Sequence, residues 1–286
     1  MTFSQSTFDS KVTNSRIHRI SASPEGSQGG NRGIVVMLHG LGDHSGCHRR
    51  AMEIFCDLGY RVEGFDWPGH GKSYGNRGDI PGVKPAIKLI NELIEQLDSK
   101  PVAVYAHSTG GFLALPFMSR FGLDLSLKWL WLSSPLIKPT HRQSKIKIWA
   151  AEFLADFVPE LSIPTGVKPS NCYHVTSRNP KVLAEQFEGC HSKISARFGR
   201  DLMLWESEAA QSASQLDDPL KVLVTQGRED LICPPEYVEE IFQTIPATDK
   251  TLLLFDGIRH EPLREPDNTI FIKSVTDWLN TNSDPI

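Results

Sequence analysis

Cysteine is scarce in this chain and badly spaced for a framework. Its five cysteines in 286 residues, Cys47, Cys56, Cys172, Cys190 and Cys233, are an odd number with no Cys-x-x-Cys pair. That argues against a disulfide scaffold and a thiolate zinc site, and the five read as packing residues. Positive charge is also short: 30 Lys and Arg against 34 Asp and Glu leave a net charge of −4. Nucleic acid is therefore not expected as a principal partner, because backbone binding needs clustered positive charge. Apolar runs stay far below the ~18 residues of a membrane span. Met1 to Ser15 is polar and lacks the apolar block of a secretory leader, so a cytoplasmic location is the default expectation. Repeats and long low-complexity tracts are absent. With 40% hydrophobic residues, the chain can bury the core of one α/β domain carrying an insertion.

What the chain does have is concentrated between Lys100 and Phe121. The apolar run Pro101-Val102-Ala103-Val104-Tyr105-Ala106 leads into His107-Ser108-Thr109-Gly110-Gly111 and then a segment carrying Phe112, Leu113, Leu115, Phe117 and Met118. This reads as strand, sharp turn and helix. In such a turn a serine is lifted above the sheet edge in a strained conformation, so the residues two before and two after it must be small. Here they are Ala106 and Gly110, and Ser108 is the candidate nucleophile.

Upstream, the buried-strand pattern Ile34 to Leu38 empties into His39-Gly40-Leu41-Gly42-Asp43-His44-Ser45. In the α/β-hydrolase arrangement one oxyanion donor comes from this loop and the other from the residue after the nucleophile. That selects the backbone amides of Leu41 and Thr109. His39, His44 and His48 match no metal signature. Another strand, Tyr60 to Phe65, ends at Asp66-Trp67-Pro68-Gly69-His70-Gly71-Lys72-Ser73, where Asp66 precedes the serine and is read as a turn-fixing residue. Val83 to Leu97 has helical spacing, and Lys128 to Ser133 is a further strand.

Strand pattern then lapses. Residues 135–215 are expected to form a helical lid inserted into a core made of residues 1–134 and 216–286. Within it, His141 to Phe157 is expected to be an amphipathic helix with Ile146, Trp149, Phe153 and Phe157 over an apolar acyl pocket, helped by segments around Leu183 and Phe187 and around Met203 and Trp205. Lys138, Arg142, Lys145 and Lys147 read first as a solvated face, with an anionic membrane surface as the competing reading. Sheet order resumes at Leu220 to Thr225 and ends in Gln226-Gly227-Arg228-Glu229-Asp230. A carboxylate at this strand end is the candidate triad acid, and the Gly-x-x-Asp spacing favours Asp230 over Glu229. The last strand, Thr251 to Phe255, feeds a loop holding His260, the one histidine after Asp230 and the candidate base.

Together these stretches resemble the monoglyceride lipases and lysophospholipases of the α/β-hydrolase fold, also called serine aminopeptidase-like hydrolases, over most of the chain after residue 30. The resemblance implies a mostly parallel central sheet with helices on both faces, and hydrolysis of carboxylic esters of single-chain acyl lipids. Ser108, Asp230 and His260 would be the triad, with no metal or organic cofactor. Two other readings stay open: a peptidase or aminopeptidase of the same fold, and a non-catalytic binding protein that keeps the sheet and pocket. A dehalogenase or epoxide hydrolase would need a carboxylate where Ser108 stands.

Overall fold

Five short strands with every or nearly every residue buried lie at the centre: β3 (Ile34–Leu38), β4 (Arg61–Phe65), β5 (Ala103–His107), β6 (Trp129–Ser133) and β9 (Lys221–Gly227). Strands buried along nearly their whole length need cover on both faces, the signature of parallel strands joined by helices. A computed structural model, which describes residues 1–26, 32–141, 145–174 and 188–282, places them in one eight-stranded sheet. Including β1 (Thr2–Ser10), β2 (Ser15–Ser23) and β10 (Lys250–Phe255), its order is β1-β2-β4-β3-β5-β6-β9-β10. Strand β2 runs antiparallel to both β1 and β4, and the remaining pairs are parallel.

Alternate residues of each strand feed opposite cores. Val36, Val104, Leu130 and Val222 face α2 (Val83–Glu95) and α3 (Thr109–Phe117). Val35, Tyr105, Trp129, Trp131 and Leu223 face α1 (Arg49–Asp57) and the C-terminal helix Thr269–Asn282. On this second side Phe55 stacks on Trp129 with centroids 5.8 Å apart. Pro116 leaves α3 intact to Phe117, after which the chain widens into a π-helical turn, Met118–Gly122.

The sequence reading missed β1. Its residues, Thr-Phe-Ser-Gln-Ser-Thr-Phe-Asp-Ser, are nearly all exposed or half-buried, so an edge strand paired on one side carries no burial alternation to detect.

Between β6 and β9 the chain leaves the main sheet. It forms α4 (Lys145–Phe157), a two-stranded ribbon of β7 (Ser162–Pro164) and β8 (Lys193–Ser195), then α5 (Ala196–Leu204) and α6 (Glu206–Ala213). Ala209 and Ala213 of α6 are buried in the same core as α3. One expectation is overturned here. Ile146, Trp149, Phe153 and Phe157 do share a face of α4, but they are 77, 64, 51 and 70% exposed, so that face looks outward. Apolar residues occur on both sides of this helix, and periodicity shows which residues share a face without showing which face turns inward. The segment around Leu183 and Phe187 lies outside the described residues, as does Arg142. No helix among the described residues is long and apolar enough to cross a membrane.

Candidate active site

The turn between β5 and α3 holds Ser108 at φ 52° and ψ −119°, a left-handed conformation that a residue with a side chain adopts at a cost of about 1–3 kcal/mol. The glycines around it make that possible. A Cβ on Gly110 would lie 2.4 Å from the Leu38 carbonyl oxygen, and one on Gly111 2.8 Å from Pro135 Cβ. Ala106 is accommodated in the buried middle of β5, opposite Leu38 and Leu132. Gly40 is equally constrained, since a Cβ there would meet Ser108 Cβ at 3.0 Å. The loop bearing Leu41 therefore closes directly over the serine. Thr109 is the first residue of α3, so its amide has no partner inside the helix and sits at the positive end of the helix dipole.

Residues separated by more than 150 positions converge on that hydroxyl. His260 Nε2 lies 2.9 Å from Ser108 Oγ, and His260 Nδ1 lies 2.8 Å from Asp230 Oδ2. All three residues are buried. Asp230 is held from its other side: Oδ1 accepts the amides of Ile232 and Cys233 at 2.8 and 2.9 Å, and Oδ2 also accepts from Gln226 Nε2 at 2.9 Å. An acceptor so saturated fixes Nδ1 as the protonated ring nitrogen and leaves the Nε2 lone pair for the serine proton. Glu229, the neighbouring candidate acid, is half exposed and faces His174 at 3.6 Å. Burial lowers the proton affinity of His260, but the Asp230 carboxylate outweighs it and raises the imidazole well above its ordinary value. Burial keeps the adjoining Cys233 thiol protonated, so Asp230 is the charge responsible.

The chain segments that carry Asp230 and His260 are stitched together. Arg228 N donates to Phe255 O at 2.9 Å and Glu229 N to Ile258 O at 3.0 Å. Gly227 lies between them, and a Cβ there would fall 2.2 Å from the Ile258 carbonyl oxygen.

Behind the oxyanion loop, His39 is fully buried. Its Nδ1 donates to Gly40 O at 2.8 Å and its Nε2 accepts the Trp67 amide at 3.0 Å, which requires the neutral ring. Burial correspondingly lowers it to about 4. Asp66 accepts from Ser45 N, Lys72 N and His18 Nδ1 at 2.8 to 2.9 Å, a turn organiser remote from Ser108 chemistry.

Sequence reasoning missed several groups around the site. Gln226, fully buried at the end of β9, props the acid; a polar residue closing an apolar strand was the available signal. Asp43 and Glu261 line the cavity, yet each is engaged: Asp43 Oδ2 with His48 Nε2 at 2.8 Å, and Glu261 Oε1 with His107 Nε2 at 3.2 Å. Burial raises the proton affinity of Glu261, but His107 more than compensates and keeps it ionised. Two groups of side chains among the described residues come within metal-ligating distance. One is Asp230, Cys233 and His260, already joined as described; the other is His44, Cys47 and Cys190. His39 and His48 bond elsewhere, so the three early histidines do not converge.

Above Ser108 is a cavity of about 640 Å³, floored by Gly40, Leu41 and Thr109 and walled by the inserted segment. From α4 it is Ile148 and Leu154 that line it, joined by Leu202 and Met203 of α5. Trp205 instead packs into the core beneath Arg120, whose guanidinium is 4.8 Å from its ring.

A buried serine at a strained strand-to-helix turn, hydrogen-bonded through histidine to a carboxylate beyond later strands, is the arrangement of an α/β-hydrolase. Residues 29–267 match the family described as serine aminopeptidase, S33. The chain belongs to that family. It is 30% identical over 249 residues to an uncharacterized abhydrolase domain-containing protein of Dictyostelium discoideum, covering 86% of this chain but 26% of that protein's length. It is 26% identical over 256 residues to a monoacylglycerol lipase of Mycolicibacterium smegmatis, covering 87% of this chain and 88% of that one. Among solved structures, a monoacylglycerol lipase of Paleococcus ferrophilus superposes with a TM-score of 0.79 at 31% identity, covering 93% of this chain and 99% of its own.

Proposed function

We propose that the protein is a serine hydrolase that cleaves carboxylic esters of single-chain acyl lipids, monoacylglycerol or lysophospholipid. The observation that carries this reading is the unbroken hydrogen-bonded line from Ser108 through His260 to Asp230 beneath a largely apolar cavity. His260 takes the Ser108 proton as Oγ attacks the ester carbonyl, while Asp230 holds the imidazole and stabilises the imidazolium. The amides of Leu41 and Thr109 receive the oxyanion. Collapse releases the alcohol, protonated by His260, and leaves an acyl-enzyme. Water activated by the same histidine then frees the fatty acid. No step calls for a metal or an organic cofactor.

Residues 135–215 act in this reading as a lid that shields the acyl chain from water. The relatives named as monoacylglycerol lipases support the substrate class. The outward stripe on α4 suits an enzyme that collects its substrate from a membrane surface, its aromatic rings entering the interface. Aminopeptidase action, the competing reading, needs a carboxylate free to hold a substrate ammonium. Asp43 and Glu261, the acidic residues that line the cavity, are already paired with histidines.

The test is fluorophosphonate labelling with peptide mapping, followed by kcat/KM on monoacylglycerols, lysophospholipids, a triacylglycerol and a peptide amide. Adduct on Ser108 and preference for a monoacyl ester are expected. Labelling that survives Ser108→Ala would overturn the nucleophile, and faster amide than ester cleavage would overturn the substrate class.

A further inference from the structure

Cys47 and Cys190 are 143 positions apart in sequence, yet their sulfurs are 3.3 Å from one another. Cys47 belongs to the 3-10 turn Ser45–His48 that follows the oxyanion loop, and Cys190 to the inserted segment. Independent contacts hold the two stretches together. His191 N donates to Gly42 O at 2.7 Å, and His44 Nε2 lies 2.8 Å from Glu188 O. Gly189, at φ +81°, lets the chain close on the imidazole, since a Cβ there would stand 3.1 Å from His44 Nε2. Both cysteines are partly exposed, whereas Cys56 and Cys233 are buried.

We infer that Cys47 and Cys190 are a thiol pair that hydroperoxides oxidise to a disulfide, tying the inserted segment to the turn behind the oxyanion loop. Hydrogen bonding from Cys47 and from His44 holds the Cys190 thiol down at about 6, against the pull of burial. The contact with Cys190 pushes Cys47 up, and burial pushes up Cys56, Cys172 and Cys233 as well. Of the five, Cys190 is the thiol that ionises most readily, and in its protonated form it donates to Asp43 Oδ1 at 3.7 Å. It attacks a peroxide oxygen, the O–O bond breaks, hydroxide leaves and Cys190 becomes a sulfenic acid. The Cys47 sulfur then attacks the sulfenic sulfur, the S–O bond breaks, and water departs with the Cys47 proton. Two thiols and one hydrogen peroxide give one disulfide and two waters, with two electrons passing from sulfur to oxygen.

Magnitudes place the selectivity in the second step. Thiolate character alone gives little selectivity, because the lower basicity of a readily ionised thiol offsets its larger thiolate fraction. A resolving thiol already at 3.3 Å is the larger advantage, because the closure is intramolecular. Bond formation shortens the S–S separation by about 1.3 Å, within reach of side-chain rotation and a small shift of the loop.

The experiment treats chelator-washed protein, so that no adventitious cation covers the thiols, with hydrogen peroxide. Remaining thiols are alkylated, and the protein is digested without reductant for mass spectrometry. A linked Cys47–Cys190 peptide, two hydrogens lighter than its parts and lost on adding dithiothreitol, is expected, with Cys56, Cys172 and Cys233 alkylated. In Cys47→Ser, or Cys47→Ala should the serine variant misfold, dimedone should capture a sulfenic acid on Cys190. Alkylation of both cysteines after Cys172 or Cys233 has been oxidised, or linkage of either to a different cysteine, would overturn the inference. The mapping uses no substrate, so the esterase reading can fail without touching it.

Discussion

The amide of Glu261 donates to the carbonyl of Cys172 at 2.7 Å, so the inserted segment is tied to the residue next to His260. Whatever moves that segment pulls on the loop that carries His260. Its cover over Ser108 and the alignment of the proton path are mechanically linked, and the predictions test both.

Asp230→Asn should lower kcat by about 10³- to 10⁴-fold with the fold retained, because the amide no longer fixes the Nδ1–H tautomer or stabilises the imidazolium. Glu229→Gln, altering a half-exposed side chain turned toward His174, should stay within a few-fold of wild type. Circular dichroism and steady-state kinetics on a soluble ester decide it. A Glu229→Gln loss exceeding that of Asp230→Asn would reassign the acid.

Activity should fall on the acid side at a pH above the ordinary histidine value of 6.5. The base must be neutral to accept the serine proton, and a raised His260 stays protonated to higher pH, so the limb moves upward. Gln226→Leu, which removes one donor from Asp230 Oδ2, tests how that carboxylate is positioned. The readout is the pH profile of kcat/KM, and a limb below 6.5 in the wild type would contradict the geometry.

Stability should respond to pH in a different window. His39 accepts no proton in the fold until about pH 4, while in the unfolded chain it titrates near 6.5. Between these values the unfolded state binds more protons, so stability is lost as pH falls. From pH 7 to pH 4 the loss from His39 is about 3 kcal/mol. His191, lowered to about 4, and His70, lowered well below its ordinary value by burial, act in the same direction. Urea denaturation midpoints at pH 7, 5.5 and 4.5 measure the slope, and a flat profile would refute it.

Cavity wall and outer stripe should separate by substrate form. Ile148→Ala enlarges the cavity above Ser108, and at about 0.8 kcal/mol for each methylene no longer covered it should flatten the dependence of kcat/KM on chain length. Trp149→Ala and Phe153→Ala should leave hydrolysis of a dissolved short ester unchanged and weaken vesicle binding by about tenfold. Co-sedimentation with anionic and zwitterionic vesicles provides the second measurement. A chain-length effect at Trp149 with vesicle binding unchanged would return the stripe to the pocket.

Much of the candidate site's geometry was legible in sequence because each part is forced by local sterics. Ser108 needs small residues two positions away, and its loop partners need the glycines at 40 and 42, so strand, Gly-rich turn and helix announce themselves. Long-range choices left weaker marks. The Gly-x-x-Asp spacing selects Asp230, but the Gln226 and amide contacts that saturate it depend on how the strand end curls. The α4 aromatics were visible as a stripe, and their direction was set by which side packs on α5. Strand β1 was hidden because a polar edge has no buried face to show, and the Cys47–Cys190 approach because 143 residues separate the two sulfurs.

Gly227 sits where the chain segment bearing Asp230 and the one bearing His260 press together, with no space for even a methyl group. Those two segments therefore behave as a single machined part, whereas the serine turn arrives separately across the sheet from β5. Anyone transplanting this chemistry onto another scaffold could graft the nucleophile alone, but Gln226 to Cys233 and Phe255 to Glu261 would have to travel together, interleaved around that glycine.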